Sequence, residues 1–370
     1  MQKSSMDNDT RFMRRALTLA RRGQGKTSPN PLVGAVVVKK GLIVGEGYHQ
    51  RAGGPHAEVI ALEGAGKKAA GATLYISLEP CCHTGKKTPP CTGAIIASGV
   101  KRVVVAMKDP NPKVSGRGIQ QLRDAGIEVS VGTLGPEAQR LNEIFRKYIT
   151  TGTPFVRLKI AETLDGKIAT ASGESQWITG EAARKHGHRL RSWSDAILVG
   201  VNTVIHDDPL LTVRSVKGKA PLRIVVDSTL RTPVTAKIVA ENPVNTIIAS
   251  TSAAPPQKVQ SLRERGVEVL TVEDEAGKVS LPALMKALGE RGITSVLIEG
   301  GAEIAAAALK SGIVDRVFFF IAPKIMGGLN SKAAIGGDSP KALSQAVSLV
   351  NVSARRIGDD FLVEGDIKKV

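Results

Sequence analysis

LEPCCHTGKKTPPC (Leu78–Cys91), read with PHAE (Pro55–Glu58) one helix and one strand upstream, decides how the first half of this chain folds and what it can bind. Cys81, Cys82 and Cys91 are the only cysteines of the 370-residue sequence. Crowded into one stretch, they make a poor framework for disulfides and a good one for a metal. One imidazole and two thiolates leave the fourth position of a tetrahedral ion open, and a water there becomes acidic near neutral pH. A closed structural site would need a fourth ligand, for which only Cys82 and His83 are at hand. The Pro80-Cys81 order favours Cys81 over Cys82, so the expected ligands are His56, Cys81 and Cys91. Glu58, two residues from His56, is the carboxylate placed to carry protons beside that water.

Outward from these motifs the pattern alternates between helix and strand. An amphipathic Arg11–Arg22, the run VGAVVV (Val33–Val38), a helix from His56 and LYIS (Leu74–Ser77) precede the second cysteine. A helix from near Cys91, VVVAM ending at Met107, a helix around Gly118–Ala125 and a last helix near Pro136–Tyr148 follow it. This is α/β grammar. Thr150–Pro154 is a polar Gly/Pro turn that closes the first domain, and the expected domains are 8–150 and 153–370. The second opens with FVRLKIA and continues with a helix at Glu181–Ser192, strands AILVG (Ala196–Gly200) and LRIVVD (Leu222–Asp227), and TIIAS near Thr246. A helix near Pro256–Arg265, VEVLTV, a helix around Leu281–Gly289, SVLIEGG, a helix to about Leu309 and VFFFIAP complete it.

No apolar run reaches membrane-spanning length, and the N-terminal residues lack the h-region of a secretory signal. With thiols but no disulfide framework, the expected compartment is the cytoplasm. The net charge of +17 falls mainly in residues 1–150. It attracts anions of every class, phosphorylated metabolites and nucleic acid included. Aromatic residues make up only 3% of the chain, too few for a base-stacking platform, which argues against a nucleic-acid partner.

The order His-x-Glu, Pro-Cys, Cys is that of zinc deaminases, and its flanks narrow the choice. SPNPLVGAVVV (Ser28–Val38), GEGYHQRAGGPHAE (Gly45–Glu58), LEPCCHTGKKTPPC and AMKDPNPKVSGRGI (Ala106–Ile119) resemble the deaminase half of the bifunctional riboflavin-biosynthesis deaminase-reductases. The long loop between the cysteines separates this family from nucleoside and transfer-RNA deaminases, although it is one residue longer here than the family pattern. The resemblance implies a cytidine-deaminase-like three-layer α/β/α domain that holds Zn2+ and deaminates a phosphorylated aminopyrimidine. It also implies that Asn30, His49, His83, Lys86 or Lys87, Asp109 and Asn111 hold that substrate. On residue chemistry alone Asn30 and Asn111, beside prolines, could equally be turn formers.

The second half has no complete G-x-G-x-x-G, and Gly25-Lys26-Thr27 lacks the first glycine and the strand of a P-loop. What remains is Glu299-Gly300-Gly301-Ala302-Glu303 between a strand and a helix, where backbone amides can approach a phosphate. VRLKIAETLDGKIAT (Val156–Thr170), SGESQWIT (Ser172–Thr179), Leu190–Arg214, RIVVDS (Arg223–Ser228), LIEGGAEIA (Leu297–Ala305) and IAPKIMGG (Ile321–Gly328) are similar to the reductase half of the same family. That half resembles dihydrofolate reductase in fold. By this resemblance NADPH would contact Ala161, Trp177, Thr203, Asp207, Ser228 and the turn Gly301, Ala302, Glu303, Ile304, Ala305, Ala306 and Ala307. Ser175, Arg191, Leu211, Arg214 and Glu299 would hold the substrate. On residue chemistry Lys159 and Asp165 are candidates to assist protonation, and both could equally be structural. A homo-oligomer is the expected assembly.

Overall fold

The computed structural model describes residues 2–82, 89–274 and 276–369, in two compact units, Met1–Gly152 and Thr153–Val370. In the first, α1 (Gln2–Ala20), β1 (Gly34–Lys39), β2 (Leu42–Tyr48), α2 (Ala57–Ala65), β3 (Thr73–Ile76), α3 (Cys91–Ala97) and β4 (Arg102–Val105) are followed by α4 (Arg117–Asp124), β5 (Glu128–Val131), α5 (Gly135–Leu141) and α6 (Glu143–Thr151). The sheet order is β2-β1-β3-β4-β5, with β1 antiparallel to both neighbours and β3, β4 and β5 parallel.

Glycines show how the layers close. A Cβ on Gly34 would lie 2.0 Å from the Ala16 carbonyl oxygen, so α1 rests directly on β1. Cβ atoms on Gly45 and Gly47 would lie 2.1 and 2.4 Å from the Ala61 and Ala57 carbonyl oxygens, so α2 rests on β2. Gly45 and Gly47 pair with Val37 and Ala35, whose side chains alternate with Gly34 across the sheet. α1 and α2 therefore cover opposite faces, which is the three-layer arrangement. The same glycines hide β2 in the sequence, because they read as breaks in a strand pattern while serving close helix approach. β5 is also a strand the pattern does not suggest, with no buried residue. The expected last helix divides at Asn142, whose side chain accepts from Leu32 N at 2.8 Å and donates to Leu32 O at 3.0 Å.

In the second unit the elements are β6 (Phe155–Thr163), β7 (Lys167–Ala169), α7 (Glu181–Ser192), β8 (Ala196–Gly200), α8 (Val201–Asp207), β9 (Leu222–Val226), α9 (Lys237–Ala240), β10 (Thr246–Ser250) and α10 (Pro256–Glu264). They continue with β11 (Glu268–Thr271), α11 (Leu281–Glu290), β12 (Ser295–Ile298), α12 (Ala302–Lys310), β13 (Arg316–Ala322), β14 (Lys332–Ala333), β15 (Leu349–Ile357) and β16 (Asp360–Ile367). Nine strands form one sheet in the order β11-β10-β9-β8-β12-β6-β13-β16-β15. It is parallel from β11 to β13, and β16 and β15 then add antiparallel. Parallel strands buried on both faces read as unbroken apolar runs. Ala196, Leu198, Val296 and Ile298 pack with α11 and α12, while Ile197 and Val199 pack with α8, α9 and α10 on the other side. The hairpin β15–β16 carries no such run, since β15 has no buried residue, and the sequence pattern does not suggest it. No helix among the described residues is long and apolar enough to cross a membrane.

Candidate active sites in the two units

In the first unit the parallel strands point their C-terminal ends at the expected metal ligands. His56 is the N-cap of α2 and Cys91 opens α3, while Cys81 sits in the loop after β3. Two helix N-termini thus face one point, and their dipoles favour thiolates and carboxylates there. The ligand atoms of His56, Cys81 and Cys91 all lie within 4.8 Å of one another. His56 Nδ1 is 3.1 Å from Cys91 Sγ and 3.6 Å from Cys81 Sγ. A tetrahedral zinc ion bound at its usual N and S distances would hold such atoms about 3.3–3.8 Å apart. The His56–Cys81 distance lies in that range and the His56–Cys91 distance just below it, so the donor set fits the metal in kind and is gathered close to its spacing. Cys82 is outside the cluster, and burial pushes its thiol up.

Glu58 stands in the first turn of α2, buried, and its Oε2 has no hydrogen-bond partner among the described residues. Burial pushes its carboxyl up, against the pull of its own backbone amide and of His56. An orphaned buried carboxylate oxygen beside a three-ligand cluster is what a proton carrier to a bound water and substrate would show. His49 packs edge-on to His56 with ring centroids 5.4 Å apart. Its Nδ1 lies 3.0 Å from the Pro55 carbonyl oxygen, a contact that requires a proton on Nδ1, and its Nε2 lies 3.1 Å from Asn30 Nδ2. The ring is therefore neutral with Nε2 accepting, and burial keeps its pKa down. Asn30 is thereby brought to the site as a partner of His49.

Asp109 and Asn111 lie in the loop after β4. The Asp109 carboxylate accepts from Asn111 N at 2.8 Å, and the Asn111 side chain accepts from Lys113 N at 3.0 Å, a turn-forming bond of the kind Asn makes beside proline. His83, Lys86 and Lys87 lie outside the described residues. Glu79 is the residue that motif reading passed over. Buried, it accepts from the backbone N–H groups of Asp109 and Gly116 on Oε2 and of Gly118 and Ile119 on Oε1, at 2.9 to 3.3 Å. A Cβ on Gly118 would lie 2.1 Å from the Pro80 carbonyl oxygen, so Glu79 clamps the N-terminus of α4 and the Asp109 loop against the strand that leads to Cys81. Its only signal in the sequence was its place in Glu-Pro-Cys.

In the second unit a cavity of about 1470 Å³ opens across the C-terminal ends of the central strands. Ala161, Trp177, Thr203, Asp207, Ser228, Gly301, Ala302, Glu303, Ile304 and Ala307 line it, as do Ser175, Arg191, Arg214 and Glu299. Three expected residues do not. Leu211 and Ala305 are buried in hydrophobic clusters, and Ala306, on the same helix, faces Gly337. Asp165 is also no lining residue. It accepts from Thr163 Oγ1 at 2.6 Å, Met326 N at 3.0 Å and Gly327 N at 2.7 Å. These bonds hold its pKa far below the usual carboxylate range, and they give it a structural place tying the β6–β7 turn to the segment at Met326.

Arg191 and Glu299 meet each other before they meet any ligand. Arg191 Nε and Nη2 donate to the two Glu299 oxygens at 2.8 and 3.0 Å, Nη1 donates to the Thr212 carbonyl at 3.1 Å, and Lys159 Nζ stands 3.7 Å from Glu299 Oε2. Burial alone would raise the Glu299 pKa, but Arg191 and Lys159 outweigh it and bring it to about 2. His188, a half-buried residue that motif reading also missed, lines the cavity on the face of α7 that carries Arg184 and Arg191. Burial and the nearby Arg191 and Arg214 push its pKa down. At the glycine turn, Gly300 has φ 137° and a Cβ there would lie 2.8 Å from Thr203 Oγ1, so only glycine fits.

Comparison with known proteins agrees across both units. The cytidine and deoxycytidylate deaminase zinc-binding region matches residues 6–107, and the RibD C-terminal domain matches residues 154–363. Riboflavin biosynthesis protein RibD of Actinobacillus pleuropneumoniae is 48% identical over 356 residues, covering 96% of this chain and 94% of that protein. The Escherichia coli RibD is 47% identical over 332 residues, 86% and 89% of the two chains. Among solved structures, Acinetobacter baumannii RibD superposes with a TM-score of 0.89 at 40% identity, covering 98% of this chain and all of that one. The Thermotoga maritima diaminohydroxyphosphoribosylaminopyrimidine deaminase/5-amino-6-(5-phosphoribosylamino)uracil reductase gives 0.85 at 40% identity with the same coverage. A zinc-binding deaminase unit followed by a reductase unit, matched end to end at this identity, makes this chain a member of the RibD family of bifunctional riboflavin-biosynthesis deaminase-reductases.

Proposed function

We propose that the domain spanning residues 8–150 hydrolyses the amino group from a diaminohydroxy-phosphoribosylaminopyrimidine and that the domain spanning 153–370 reduces the ribose of the resulting phosphoribosylaminouracil to a ribityl chain. Zinc, when bound, makes water nucleophilic near neutral pH, and NADPH, when bound, supplies hydride. The observation that carries the deaminase reading is the cluster of His56, Cys81 and Cys91 at two helix N-termini with the orphaned Glu58 oxygen beside it.

In this reading His56, Cys81 and Cys91 would hold the metal, and Glu58 takes the two protons of the attacking water in turn, passing one to the ring nitrogen and the other to the departing ammonia. Asn30, His49, Asp109 and Asn111 hold the pyrimidine and its ribose phosphate, together with His83 and Lys87 from the loop outside the described residues. In the second unit Ala161, Trp177, Thr203, Asp207, Ser228 and the stretch 301–307 hold NADPH, with Ala305 and Ala306 contributing backbone only. Ser175, Arg214 and the backbone of Leu211 hold the substrate. Arg191 and Lys159 keep Glu299 ionised as an acceptor for ribose hydroxyls, while Arg214, exposed and without an ion pair among the described residues, is the charge left for the phosphate.

The proposed setting is the cytoplasm. The proposed assembly is a homo-oligomer joined through the sheet edge at β15, where Val350 and Val352 are exposed and an unpaired edge is open to another strand. Sedimentation of the purified chain as a monomer would refute the assembly. A two-stage assay tests the function: ammonia release from the aminopyrimidine without nicotinamide cofactor, then loss of nicotinamide absorbance when NADPH is added. Absence of either signal from folded, zinc-loaded protein would remove the corresponding half of the reading.

A further inference from the structure

The cavity of the second unit crosses the C-terminal ends of β6, β12, β8 and β9, which are neighbours in the sheet. At about 4.8 Å between strands its lining spans about 14 Å, the scale of an extended dinucleotide. Its two ends differ in chemistry. Lys159, Arg191 and Glu299 crowd the β6–β12 end, while Ser228, Thr229, Arg231 and Lys278 stand at the β9 end.

A site that reads an unphosphorylated adenosine ribose sets a carboxylate on its 2′-hydroxyl, whereas one that takes a 2′-phosphate sets an arginine nearby. Asp227, directly after β9 and next to the lining residue Ser228, is the carboxylate closest in sequence to this end, and it is turned away from the cavity. It is 1% exposed. Its Oδ1 accepts from Arg231 N at 2.9 Å, and its Oδ2 accepts from Thr232 N and Thr232 Oγ1, both at 2.7 Å. These bonds close a turn that sends the Arg231 side chain to the cavity. There Arg231 Nη2 donates to Asn202 Oδ1 at 3.1 Å, and Asn202 Nδ2 donates to Glu303 Oε2 at 2.9 Å.

The Arg231 guanidinium is thus positioned by a neutral amide and makes no ion pair among the described residues. Lys278 is brought alongside by its backbone, which donates to Asp274 Oδ1 at 2.9 Å, and by Val279 N, which donates to Ser228 Oγ at 3.2 Å. Among the described acidic residues that line this end, Glu303 is engaged by Asn202, and Asp207 remains at the end of α8.

We propose that Arg231 holds the 2′-phosphate that distinguishes NADPH from NADH, with Lys278 as the second cation of that subsite. The proposal rests on the reading of this cavity as the nicotinamide-cofactor site. Calorimetric titration of the full chain with adenosine 2′,5′-bisphosphate and with AMP tests it without turnover. The wild type should bind the bisphosphate at least about tenfold more tightly than AMP, in line with a charge-assisted contact to phosphate. Arg231→Ala should bring that ratio close to one while leaving AMP affinity unchanged, Arg231→Lys should restore part of it, and Lys278→Ala should lower it less.

Equal binding of the two nucleotides by the wild type would overturn the proposal, with Asp207 then reading a free 2′-hydroxyl. So would an unchanged ratio in Arg231→Ala, or a parallel fall in affinity for both nucleotides. If the wild type binds neither nucleotide nor NADP+, the cofactor reading itself falls.

Discussion

The metal cluster of the first unit and the cavity of the second are built on opposite plans. His56, Glu58, Cys81 and Cys91 come from one short stretch of chain and converge at the N-termini of α2 and α3. The cavity collects residues from Lys159 to Lys332 along the ends of four parallel strands, and no single element supplies most of it. On the proposed reading every group of the first site acts on the same few atoms, so the loss of one should disable the chemistry. In the second the lining groups are spread along the cavity, and the loss of one should cost only a share of the binding.

The strongest test of that contrast is to remove the metal. Cys91→Ser, or chelation of the wild type, should abolish ammonia release while NADPH oxidation on the pre-formed uracil substrate continues at close to its normal rate. Zinc analysis should report less than one ion per chain in the variant. Glu58→Gln comes next: the side chain keeps its size but cannot carry a proton, and kcat for deamination should fall by about 10²–10⁴-fold. Zinc content should stay at the wild-type level. Retained deamination in that variant would remove Glu58 from the mechanism, and lost zinc would make it structural.

The same contrast explains what could be read from the sequence. Metal ligands need specific residue types at short spacing, so His56, Cys81 and Cys91 were legible before any fold was known. The strands were legible where burial on both faces forces apolar runs, as in β8 and β12. They were illegible where packing demanded the opposite residues: Gly45 and Gly47 let α2 approach β2 and so erase the pattern that would announce a strand. Glu79 was hidden for another reason. Its four backbone partners lie 30 to 40 residues away, and a contact of that kind is fixed by the fold alone. Arg191 and Glu299, 108 residues apart, each looked like a ligand contact, and only the structure shows that they neutralise one another. Leu211 and Ala305 were named through the family resemblance, and their side chains are buried in the core.

Glu299 sharpens the comparison in the second unit, where folding and binding share a residue. Glu299→Gln leaves Arg191 and Lys159 facing a neutral amide in a buried setting, and breaking such a pair costs about 3–5 kcal/mol. The unit should therefore unfold at markedly lower denaturant concentration, while the zinc content of the first unit is unaffected. The pH dependence follows from the direction of the shift. The Glu299 pKa falls from 4.5 to about 2 on folding, so its contribution is complete above pH 4.5 and is lost as the pH drops toward 2. Thermal unfolding of the second unit should show that loss in the wild type, and Glu299→Gln should lack it.

Arg214 gives the smallest expected effect and the finest test. Unlike Arg191, it is exposed at the cavity wall and has no carboxylate among the described residues to leave stranded. Arg214→Ala should accordingly leave stability near the wild-type value and raise the KM for the phosphorylated substrate by about tenfold, roughly 1.4 kcal/mol. Because the phosphate lies away from the reacting carbon, this binding is shared by ground and transition states, and kcat should change little. Salt screens an exposed charge, so the wild-type KM should climb toward that of the variant as ionic strength rises. Arg191→Ala should behave differently, losing stability together with activity because Glu299 is left buried beside Lys159 alone. If the two arginine variants instead lose stability and kcat to the same degree, the cavity is as tightly coupled as the metal cluster, and the contrast between the two sites fails.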